Sequence, residues 1–107
     1  LRGKIGQANY AAAKGGIISF SKTLARELGR FNVNVNVVAP GATKTPLWKR
    51  GSRASASAEQ SAKLADLFSS TIPLGRWGEP EELAKAVLFL ASEDSSYINA
   101  VELMVAG

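Results

Sequence analysis

Residues 33–41 read Val33-Asn34-Val35-Asn36-Val37-Val38-Ala39-Pro40-Gly41. Val33, Val35 and Val37 alternate with Asn34 and Asn36, and β-branched side chains favour extended backbone. Residues 33–39 are therefore expected to form a strand. Pro40–Gly41 ends it abruptly. Before it, Ile17, Phe20, Leu24 and Leu28 recur at spacings of three and four, the signature of one face of a helix over 8–28. Gly29 is the expected stop, with Arg26 and Arg30 near the negative end of the helix dipole. Farther on, Glu79-Pro80-Glu81-Glu82 suits a helix start, with proline at the first position and acids at the positive dipole end. That helix is expected over 79–92, burying Leu83, Val87 and Leu90, and residues 101–105 (VELMV) read as a last strand. The order is helix, strand, long connection, helix, strand. Its strand–helix–strand part is a βαβ unit, a right-handed crossover in nearly all cases. The expected class is α/β with a parallel pair. Parallel sheets rarely consist of two strands, so the pattern reads as the C-terminal portion of a larger doubly wound domain.

The 107 residues allow one domain, here expected as a single partial domain over 1–107. No apolar run approaches the roughly 20 residues of a membrane span. The opening LRGKIGQANY resembles neither a signal nor a transit peptide, which makes the cytoplasm the default location. Thirteen basic and nine acidic residues give +4, a mild excess that permits an anionic partner without demanding one. The basic residues are spread along the chain rather than gathered in a stripe, which argues against nucleic acid. With neither Cys nor His, a disulfide framework, a zinc site and a Ser–His–Asp triad are out of reach. Any general acid or base must be Asp, Glu, Lys or Tyr.

Tyr10 and Lys14 stand four apart on the first helix, which sets phenol and ammonium on one face, a turn apart. A free tyrosine titrates near pH 10, too high for acid–base work at neutrality. A positive charge about 6 Å away, at an effective dielectric near 20, favours the phenolate by roughly 3 kcal/mol. Such a phenol can give a proton to a carbonyl oxygen or take one from an alcohol. Taken alone, the pair also fits a surface tyrosine beside a solvated lysine. Gly15 and Gly16 inside the helix fit either an imperfect helix or close approach by another backbone or a ligand. Residues 43–72 are of weak character, with a small, polar stretch at 51–62 and a short helix expected over 63–68. A connection this long in a compact domain is usually a lid or binding loop.

Three stretches then occur in order: Gln7-Ala8-Asn9-Tyr10-Ala11-Ala12-Ala13-Lys14, VNVNVVAPGATKT at 33–45, and IPLGRWGEPEELAKAVLFLAS at 72–92. Together they closely resemble the short-chain dehydrogenase/reductase family, nearest to 3-oxoacyl-carrier-protein reductases and related NAD(P)-dependent alcohol dehydrogenases. The resemblance covers nearly the whole chain. It implies a Rossmann-like fold and hydride transfer between NAD or NADP and a carbonyl or alcohol, free or carried on an acyl carrier. Tyr10 is then the catalytic acid–base, within the family's YxxxK motif. Lys14 tunes it and holds the nicotinamide ribose. Pro40–Gly41 is the turn after a sheet strand, the Thr43 backbone meets the nicotinamide carboxamide, and the Thr45 hydroxyl meets the carboxamide or pyrophosphate. A loop at the C-terminal end of a parallel strand is where ligands bind such sheets. Residues 43–72 correspond to the substrate lid, with Leu47 and Trp48 as candidate substrate contacts. No metal is implied, and homotetramers are.

The departures are equally specific. The glycine-rich turn that cradles pyrophosphate in the family is not found in these residues. The family's Ser, about thirteen residues before the Tyr, and its Asn would fall ahead of Leu1. Ala100 stands where many relatives have Gly, and Ala106 where many have Asp. The 107 residues alone are therefore expected to be inactive. A different reading is a non-catalytic interaction or oligomerisation module derived from the family, its helices seeking partners through apolar faces.

Overall fold

The computed structural model describes residues 8–44, 63, 66, 67 and 69–107. Helix α1 spans Ala8–Leu28 and strand β1 spans Val37–Pro40. Helix α2 spans Pro80–Ala91 and strand β2 spans Glu102–Val105. The two strands pair in one sheet. Val37 N–H donates to Val101 O and Gly41 N–H to Val105 O, each at 2.9 Å. Both bonds keep the same spacing along the strands, the register of a parallel pair. Contacts gather the chain into two compact units, Leu1–Val38 with Phe89–Leu103, and Ala39–Leu88 with Met104–Gly107.

In the first unit α1 ends at Leu28 and passes into a 3-10 turn over Gly29–Phe31. The 3-10 turn begins at Gly29, directly after the last residue of α1, and the left-handed residue that closes this turn is Asn32, at φ 62°. Asparagine is among the few residues that visit this region readily, because its short polar side chain can bond locally. The strand begins later than the alternation predicts: Val33 to Asn36 lie outside it. The asparagines explain why. Asn34 Nδ2 donates to the Ser96 and Ile98 carbonyls at 3.0 Å each, and Asn36 Nδ2 also reaches Ile98 O at 3.0 Å. Asn36 Oδ1 accepts Val101 N–H at 3.0 Å, and Asn99 Oδ1 accepts Val35 N–H at 2.9 Å. Side-chain amides thus bond to main chain where strand pairing was expected, alongside one backbone bond from Ala100 N–H to Val35 O at 3.0 Å.

The expected buried faces are periodic but largely uncovered. Ile17 and Phe20 are 59% and 65% exposed, and of α1 only Ala25 is buried. On α2, Val87 is 50% exposed and no residue is buried. An apolar stripe predicts a face that gains from burial, not the surface that covers it. Ser95, the buried polar residue of the first unit, places Oγ 2.9 Å from Leu90 O and 3.1 Å from Ser92 O.

In the second unit, residues 42–44 run beside Gly78 in a parallel bridge at Thr43. Gly41 is held close to Ala106: a Cβ added at Gly41 would fall 2.6 Å from Ala106 Cβ. Helix α2 starts at Pro80, and the third helical residue, Glu82, accepts the Glu79 N–H at 3.1 Å, half of a capping box. Of the connection expected over 43–72, Lys63, Asp66, Leu67 and Ser69 have helical backbone. Residues 45–62, 64, 65 and 68 lie outside the described residues.

Candidate active site

In the first turns of α1, Tyr10 and Lys14 meet, as their spacing allows. Lys14 Nζ donates to Tyr10 Oη at 3.4 Å, and the ammonium lies 5.6 Å from the ring centroid. Tyr10 is 63% exposed, and Lys14 is half-buried. Beside them is a groove of about 250 Å³ walled by Ala13, Ile17, Ile18, Val37 and Val38. One phenol, one ammonium and an aliphatic wall make a site that can exchange a proton with a small molecule lying against the valines. Gly16 leaves open space: a Cβ there would meet nothing within 4 Å, so among the described residues no close backbone approach explains it.

Pro40, Gly41 and Thr43 belong to the second unit. Thr43 Oγ donates to Gly41 O at 3.2 Å, which folds the turn on itself. Gly78 N–H donates to Ala42 O at 2.9 Å and Lys44 N–H to Gly78 O at 3.0 Å. Both peptide groups flanking Thr43 thereby direct one end at Gly78. Across a trans peptide the carbonyl and N–H point oppositely, so the N–H and C=O of Thr43 itself face the other way. That pair of groups matches a primary carboxamide, one donor for its oxygen and one acceptor for its NH₂. The residues present thus fit the amide end of a nicotinamide. The closeness of Gly41 to Ala106 gives its missing side chain a packing reason, apart from any ligand. Thr45, Leu47 and Trp48 lie outside the described residues.

The sequence reading missed two ion pairs that frame this turn. Lys44 Nζ meets Glu79 Oε1 at 2.8 Å. Arg76 grips Glu82 with both nitrogens, Nη1 to Oε1 at 2.7 Å and Nη2 to Oε2 at 3.0 Å. The bidentate hydrogen bond from Arg76, with the Glu79 N–H, holds the Glu82 carboxyl down at about 2, and the same hydrogen bond raises the Arg76 guanidinium. The signal for Glu82 was present, since glutamate at the third helical position, with Pro80 as the first, is a capping-box residue. Nothing in the local sequence announced Lys44 with Glu79. Among the described residues no group of His, Cys, Asp and Glu could hold a metal, and no helix is long and apolar enough to cross a membrane.

Comparison with known proteins fits this geometry. The structure overlays levodione reductase with a TM-score of 0.86 at 38% identity, over 99% of this chain and 41% of that one. The architecture is therefore part of a doubly wound, Rossmann-like α/β domain with a parallel sheet. The family described as Enoyl-(Acyl carrier protein) reductase matches residues 2–107. The 3-oxoacyl-[acyl-carrier-protein] reductase FabG of Chlamydia trachomatis serovar D is 49% identical over 107 residues, all of this chain and 40% of that protein. The (3R)-3-hydroxyacyl-CoA dehydrogenase of Mus musculus is 43% identical over 105 residues, 98% of this chain and 37% of that protein. The chain belongs to the short-chain dehydrogenase/reductase family. It spans about two fifths of the length of the relatives it matches.

Proposed function

We propose that these residues supply the acid–base and nicotinamide-facing part of an NAD- or NADP-dependent oxidoreductase acting between a carbonyl and an alcohol. The observation that carries this reading is the Lys14–Tyr10 contact of 3.4 Å at the mouth of an apolar groove. When bound, the nicotinamide supplies or accepts the hydride. Tyr10 Oη gives its proton to the oxygen of the forming alcohol, or takes the proton in reverse. Lys14 donates to the Tyr10 hydroxyl and holds the ribose hydroxyls. Thr43 offers its main chain to the carboxamide, with Pro40 and Gly41 setting the turn and Thr45 adding a hydroxyl. Leu47 and Trp48 are the candidate substrate contacts. The names of the reductase and dehydrogenase relatives support a 3-oxoacyl or 3-hydroxyacyl thioester as substrate, on an acyl carrier or coenzyme A. The active form is a cytoplasmic homo-oligomer, a tetramer by family likeness.

Residues 1–107 contain no glycine-rich pyrophosphate turn, so a polypeptide of these residues alone is inactive. The test is Tyr10→Phe in the native polypeptide carrying them: turnover falls by about 10²–10⁴, the usual contribution of a positioned acid–base. An unchanged rate would refute the role of Tyr10. A second reading, a non-catalytic association module, draws on the exposure of Phe20, Leu88 and Met104 at 65%, 68% and 62%. Concentration-dependent association with no cofactor binding by the native polypeptide would favour it.

A further inference from the structure

The turn at Thr43 is tied to the start of α2 by more than its two backbone bonds. Glu79 is the residue before the first turn of α2, and its N–H is fixed by Glu82, which Arg76 grips in turn. Its carboxylate reaches back to Lys44, the residue after Thr43. Lys44 therefore binds this stretch twice, through its N–H to Gly78 O at 3.0 Å and through its ammonium to Glu79 at 2.8 Å. A two-point attachment restrains rotation of the peptide groups on either side of Thr43 as well as their separation. Fixing those groups fixes the direction of the Thr43 N–H and C=O.

We propose that Lys44 and Glu79 are positioning residues: their ion pair clasps residues 41–44 to the start of α2 and so aims the Thr43 main chain at a ligand bearing a primary carboxamide. The proposal rests on the reading of Thr43 given above. Side chains exposed by 57% and 49% make this a modest device, of a size that tunes how often the bridge opens.

The test is residue-resolved amide hydrogen exchange on the intact chain, comparing the parent with Lys44→Met, Glu79→Gln, Lys44→Arg and the reversed pair Lys44→Glu/Glu79→Lys. The clasp predicts exchange at the Lys44 and Gly78 amides about two- to five-fold faster in the first two variants, the span of an exposed ion pair. The Val37 amide, bonded to Val101 in the other unit, stays at the parent rate. The Lys44→Arg variant keeps the parent rates, and the reversed pair recovers them. Unchanged exchange at Lys44 and Gly78, or an equal rise at Val37, overturns the clasp. A second arm uses nicotinamide as probe, with nicotinic acid as the control lacking the amide NH₂. Nicotinamide shifts the Thr43 amide resonance in the parent and less in Lys44→Met. If it shifts nothing in the parent, the carboxamide role falls, and the exchange rates still decide the clasp.

Discussion

Replacing Gly41 by alanine separates two reasons for a glycine at the end of β1. One is approach by a ligand; the other is packing within the chain. The structure supports the second with distances. The new methyl would lie 2.6 Å from Ala106 Cβ and 2.8 Å from Ala106 Cα. Ordinary carbon contacts are about 3.5–4.0 Å, so the overlap is roughly 1 Å. Half of it is against backbone, which cannot rotate away. The neighbouring Gly41 N–H to Val105 O bond of 2.9 Å resists separation. Overpacking of this kind costs about 1–3 kcal/mol. A Gly→Ala change at an ordinary φ returns about 0.4–1 kcal/mol by restricting the unfolded chain. Contact with main chain places the steric cost in the upper half of its range, so the net loss is about 2 kcal/mol. Urea denaturation reads it as a lowered midpoint at unchanged slope. Adding Ala106→Gly removes the 2.6 Å contact but not the 2.8 Å one, so the double variant recovers part of the loss. A single variant within about 0.5 kcal/mol of the parent, the range of surface substitutions, would refute the packing argument and return Gly41 to the ligand.

Other outcomes follow from the same geometry. Ala100 sits at φ 59°, a left-handed conformation, so Ala100→Gly stabilises by about 1 kcal/mol in the same denaturation assay. Asn99→Ala removes the partner of Val35 N–H and the long contact to Ala25 O, costing about 0.5–1.5 kcal/mol and exposing the Val35 amide to faster exchange. The Glu82 carboxyl, held at about 2 by Arg76, lies below its usual 4.5. Its contribution is therefore complete above about pH 4.5 and fades as the pH falls through about 2. An NMR titration of its carboxyl carbon reads this directly, and Arg76→Met returns the midpoint toward the usual value.

Much of this was legible in the sequence. The 3.6-residue period of α1 set its extent, and a spacing of four put Tyr10 and Lys14 on one face of it, within reach of each other. Pro40–Gly41 ended β1 where the structure ends it. Alternation misjudged where β1 begins, because periodicity cannot distinguish an asparagine facing water from one bonding a distant carbonyl. Asn34 and Asn36 do the latter, with partners more than sixty residues away. The ion pair of Lys44 with Glu79 escaped for the same reason. The exposure of Phe20 and Val87 shows the other boundary, since an amphipathic pattern carries no information about the identity of its covering surface.

The most direct test of the account is the rate at which NADPH or NADH reduces a 3-oxoacyl thioester, measured in the native polypeptide carrying these residues with and without the Tyr10 hydroxyl. The account predicts that Tyr10→Phe loses about 10²–10⁴ in turnover while the fold and cofactor binding persist. A Tyr10→Phe protein that turns over within a factor of about three of the parent would contradict it.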